Sequence, residues 1–64
     1  MLKKIEMNDA QVSLSKTWLG SDCTPYAYNN AGIIWYWWLH YSGVPVKSST
    51  KLNPNQLAQL DQLR

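Results

Sequence analysis

Cys23 and His40 are the side chains here with intrinsic capacity for nucleophilic or metal chemistry, and the chain holds one of each type. A thiolate beside an imidazole base is a working nucleophile. Nothing in the residues around either position supports such a pair, however. The plain alternative is a buried thiol and a histidine, between leucine and tyrosine, that satisfies a local hydrogen bond. A structural zinc site takes about four nitrogen or sulfur ligands, so the ligand count argues against metal. Glu6, Asp9, Asp22 and Asp61 show no paired spacing of the kind general acid–base work needs. Gly20, Gly32 and Gly43 form no phosphate-cradling loop. The expectation is a non-enzymatic protein with no metal and no cofactor.

The remaining chemistry is recognition, and it concentrates in IIWYWWLHY, residues 33–41, with three of the four tryptophans and two of the four tyrosines. Large amphipathic rings are the usual anchors of protein interfaces. Trp35, Tyr36, Trp37, Trp38, His40 and Tyr41 are therefore the candidate partner-binding residues, and Lys47 and Lys51 the candidate polar rim. The competing reading is that these rings are core, as aromatics at regular spacing usually are.

The element that would position them is expected to be a helix over about residues 30–42. Thr24-Pro25 or Asn29-Asn30 offers a start, and Gly43 before Val44-Pro45 offers a stop. Such a helix is apolar nearly all round, so partners within a short chain would leave one face open. A strand is the other reading, since Ile, Trp and Tyr favour sheets.

The C-terminal stretch KLNPNQLAQLDQLR predicts a helix over about 54–63. Asn53 is its N-cap, Pro54 its first residue, Gln56 closes a capping box, and Leu52 with Leu57 makes a hydrophobic staple. Leu57, Leu60 and Leu63 give it one apolar stripe, and Arg64 complements its negative end. QVSLSKTWL, residues 11–19, fits two elements. Alternation of Val12, Leu14 and Trp18 with Ser13, Ser15 and Thr17 suits a strand, hairpinned to KKIEM. Ala10, Leu14 and Trp18 between Asp9 and Gly20 suit a helix. VPVKSSTK reads as an exposed connector. The expected fold is a mainly α, small single domain of about three elements spanning 1–64, with α+β and an N-terminal hairpin as the alternative.

Sixty-four residues with a net charge of +2 carry no basic cluster. A lone cysteine suits a reducing compartment and hence the cytoplasm, and the N-terminus lacks the apolar stretch of a secretory signal. The uncharged segment 23–46 is long enough for a bilayer. That keeps a small membrane-complex subunit as an alternative, although Asn29, Asn30 and Gly32 interrupt the segment. WYWWLHYSGVP followed by NPNQLAQL is similar in layout to excisionase-like winged-helix domains, over about residues 10–63. That resemblance implies DNA binding with Lys47 and Lys51 on phosphates. The chain departs from the pattern because its would-be recognition helix has no Arg or Lys. Aromatic stacking on a single strand would need a cationic track alongside. The expected function is a protein-binding module, a regulator, inhibitor or accessory subunit, whose partner is another protein or a second copy.

Overall fold

Isoleucine, tryptophan and tyrosine fit a pleated surface better than a helix, and residues 33–39 contain little else. In the computed structural model, which describes residues 3–64, they form a strand with another strand on each side. The element order is β1 (Ile5–Glu6), α1 (Asp9–Leu19), β2 (Cys23–Tyr28), β3 (Ile33–Leu39), β4 (Pro45–Lys51) and α2 (Pro54–Gln62). The sheet is antiparallel in the order β1-β2-β3-β4. The helix expected over 30–42 is thus a strand bounded by turns, and the fold is α+β rather than mainly α. The winged-helix layout loses the helix it needs at the same place.

The punctuation that resembled helix caps makes hairpin turns instead. Asn29 Oδ1 accepts from the amides of Ala31 and Ile33, each at 3.0 Å, and folds the β2–β3 turn over its own side chain. Gly32 takes φ +89, and a Cβ there would lie 3.1 Å from the Leu52 carbonyl oxygen, so a side chain would be both strained and crowded. At the other end of β3 the Gly43 amide donates to the His40 carbonyl at 2.8 Å and closes the β3–β4 turn. Thr24-Pro25, a plausible helix start, lies inside β2. Proline cannot donate to a ladder. Here the β1–β2 pairing has already ended, and the register shifts between Pro25 and Ala27, leaving Tyr26 as a bulge. The expected connector VPVKSSTK supplies β4. Its Ser, Thr and Lys content is what an edge strand uses to resist pairing with other chains.

Both helices form as capped elements. Residues 9–19 take the helical option, so the alternative N-terminal hairpin is not formed. Asn8 rather than Asp9 is the cap, with Gln11 completing a capping box, and the Gly20 amide donates to the Lys16 carbonyl. α2 begins as its sequence dictates, with Asn53 as cap, Pro54 in the first turn and Gln56 closing the box. Tyr28 and Ile34 from the sheet meet Leu52 and Leu60 in a buried core, with Ile5, Met7, Leu14, Trp18, Leu19 and Leu57 packed against it. Both helices therefore cover the side of the sheet that carries Tyr28 and Ile34.

Across that core runs a polar seam. Gln11 is 1% exposed, and its Nε2 donates to the Leu60 carbonyl at 2.8 Å and to the Tyr28 hydroxyl at 3.2 Å. Its Oε1 accepts from the Asn8 amide at 3.0 Å. The Tyr28 hydroxyl donates to Asp61 Oδ1 at 2.9 Å, and Asn8 Nδ2 donates to the Leu63 carbonyl, also at 2.9 Å. A buried amide so fully paired holds two helices and a strand in one arrangement.

Gln11→Ala removes the bridge and half of a capping box together, and is expected to destabilise the fold by about 2–4 kcal/mol in urea denaturation. Burial, and next the hydrogen bond and charge of Asp61, raise the Tyr28 phenol above its ordinary 10.0. The folded state thus keeps a proton that the unfolded chain releases first. The stability this gives is complete below pH 10.0 and is lost as pH rises through the higher folded-state value. The stability difference between wild type and Tyr28→Phe should therefore narrow above that pH; a constant difference would contradict this assignment.

Candidate binding face

Along β3 the side chains alternate, so the run divides between two sides. Ile34 is buried in the core, and Tyr36 and Trp38 share its side of the strand, half-buried. Ile33, Trp35, Trp37 and Leu39 share the other side. Trp37 is 40% exposed and Leu39 63%. The cross-strand register shows who joins them. Trp37 stands opposite Thr24 on β2 and Lys47 on β4, Trp35 opposite Ala27 and Ser49, and Ile33 opposite Lys51. Directly opposed residues share a face, so Lys47 and Lys51 lie on the tryptophan side.

Two further residues complete this face. The bulge turns Tyr26 toward Trp37, with ring centroids 6.3 Å apart and planes tilted by 37°. Lys4, just before β1, places Nζ 4.6 Å from the Trp35 ring centroid and 6.0 Å from that of Tyr26. Lys47 Nζ lies 5.3 Å from the Trp37 centroid. Half-buried Trp35 and exposed Trp37 thus each have an ammonium against the ring, within the range of cation–π attraction. Glu6 is the acidic residue that register places on this side, opposite Ala27. Beside it opens a cleft of about 490 Å³ lined by Lys4, Glu6, Met7, Val12, Pro25, Tyr26 and Ala27.

The six candidate residues are therefore not one cluster. Trp35 and Trp37 are on the open face, and Tyr36 and Trp38 are on the helix side. His40 and Tyr41 belong to the β3–β4 turn, where the His40 ring lies 5.5 Å from Trp38 and 4.0 Å from Tyr41. Tyr41 is 95% exposed. Lys4 and Tyr26 were not among the candidates. A strand reading of 33–39 would have paired Trp35 with Trp37, but bringing in Lys4 and Tyr26 requires knowing the register across β1, β2 and β3.

Cys23 and His40 each have a local partner. The Cys23 thiol donates to the Leu19 carbonyl at 3.4 Å, and His40 Nδ1 lies 2.9 Å from the Ser42 hydroxyl. Asp61 serves Tyr28 and lies 3.7 Å from Arg64. Among the described residues, no three His, Cys, Asp or Glu side chains converge.

Tyr26 carries a buried hydroxyl with no hydrogen-bond partner among the described residues. Such a group costs its desolvation without return. Tyr26→Phe is expected to leave stability unchanged or raise it by up to about 1 kcal/mol in thermal melts, and a clear loss would reveal a partner for that oxygen.

No protein-family model matches this chain, and no curated protein or solved structure is significantly similar to it.

Proposed function

We propose that this chain is a non-enzymatic binding module that engages a macromolecular partner through the open face of its sheet. One observation carries the reading: Trp35 and Trp37 lie on the side of β3 that neither helix covers, beside Tyr26 and three lysines. Tryptophan is costly to leave in water and strongly enriched at binding hot spots. Lys47 and Lys51, opposite Trp37 and Ile33 on β4, would form the cationic rim beside these anchors. Tyr36 and Trp38 lie half-buried on the helix side, and His40 and Tyr41 belong to a separate turn. A regulator, inhibitor or accessory subunit of a larger complex would use such a face, and lone Cys23 suits action in the reducing cytoplasm.

The membrane-subunit reading has less in its favour. Residues 23–46 fold as two strands and the start of a third, and among the described residues no helix is long and apolar enough to cross a membrane.

Affinity capture with wild type, Trp37→Ala and Tyr41→Ala tests the reading. Wild type and Tyr41→Ala should retain the same partner. Trp37→Ala should lose it by about 30-fold or more, with an unchanged circular dichroism spectrum. Equal retention by all three chains would exclude the open face as the docking surface.

A further inference from the structure

We infer that the partner of the open face is a single-stranded nucleic acid, whose bases stack on Trp37, Trp35 and Tyr26 while Lys4, Lys47 and Lys51 hold its phosphates. The inference rests on the reading that this face is a docking surface, and it names the chemistry of the occupant.

The ring spacing fits an extended strand of bases. Trp35 and Trp37 are two residues apart on β3, so they stand about 6.6–6.8 Å apart along the strand, with Tyr26 beside them on β2. Antiparallel sheet faces with about two or three aromatics are used in this way to stack unpaired bases. Every base has a π face, so the platform needs no groove and no fixed sequence.

Charge separates this occupant from a protein. The aromatic centre of a protein interface is depleted in charged residues, and lysine is disfavoured there. Here the lysines lie against the rings themselves, Lys4 at 4.6 Å from Trp35 and Lys47 at 5.3 Å from Trp37. A nucleotide brings a flat ring and an anion together. Its base can replace the ammonium over the indole, and its phosphate can receive the displaced ammonium a few ångströms away. Lys51 extends the cationic track past Ile33, and the exposed Ser49 and Thr24 add hydroxyl donors opposite the two tryptophans. Glu6 is the one acidic residue that register places on this side. This is the cationic track that aromatic stacking on a single strand requires, and it exists only once the strands are registered.

The test is titration of the intact chain's tryptophan fluorescence with an oligothymidylate of about 12 nucleotides at low salt, with poly-glutamate as the competing probe. Saturable quenching by oligothymidylate is expected, weaker for a duplex of the same length. Three phosphate contacts predict a salt slope near −2, or about 20-fold weaker binding between roughly 50 and 200 mM salt. Trp37→Ala should weaken binding about 5- to 150-fold, and Lys47→Ala should lower the slope by about 0.7. Lys47→Ala carries the test if the tryptophan variant does not fold. Absence of quenching by oligothymidylate, or binding with no salt dependence, overturns the inference. Saturable binding of poly-glutamate alone, lost in Trp37→Ala, overturns it in favour of an acidic protein partner and leaves the docking face standing. Failure of both probes, together with equal capture by the three chains above, removes both.

Discussion

The paired amide of Gln11 is the contact on which the rest of the arrangement depends. It joins α1 to α2 through the Leu60 carbonyl and both helices to the sheet through the Tyr28 hydroxyl. A core built around Tyr28, Ile34, Leu52 and Leu60 is small. Apolar contacts alone would let two short helices slide or rotate over such a core. A buried amide with both donors and its acceptor engaged does not tolerate that, because any displacement leaves a polar group unpaired at a cost of about 1–3 kcal/mol. Both helices are therefore held on one side of the sheet, and the other side is left open.

Strand alternation then divides the aromatic run. Even-numbered residues of β3 face the helices and odd-numbered residues face away. A slip of one residue would exchange the two sets. The register is held by the Asn29 turn, by Gly32 against the Leu52 backbone, and by the need to bury Ile34. The composition of the open face is thus a consequence of the packing on the other side. Trp35 and Trp37 are outside because Ile34 is inside.

The bulge at Tyr26 and the short β1 give that face its extra members. Pro25 cannot serve a continuous ladder, so β2 shifts register there, and the extra residue turns its ring toward Trp37. β1 needs only two residues to bring Lys4 over Trp35. A local irregularity and a minimal strand together collect a tyrosine and a lysine that lie far from the tryptophans in the chain.

By itself the sequence determined what local chemistry can determine. The capping box of α2 was legible to the residue, because Asn53, Pro54 and Gln56 interact within one turn. The helix at 9–19 was legible as one of two options. Breaks around the aromatic run were legible too, at Asn29–Asn30 as one of two possible starts and at Gly43. What kind of element lies between those breaks was not. Asparagine and glycine end helices and close hairpins with the same positive-φ and side-chain hydrogen-bonding chemistry. A helix finds its hydrogen bonds within its own segment, whereas a strand depends on partners elsewhere. β3 is a strand because β2 and β4 supply those partners, and β4 reads as a polar connector until it is paired. Only the tertiary structure decided which aromatics are covered, and that Lys4, Tyr26, Lys47 and Lys51 join Trp35 and Trp37. Membership of a sheet face is set by pairing between segments distant in the chain, which no local pattern encodes.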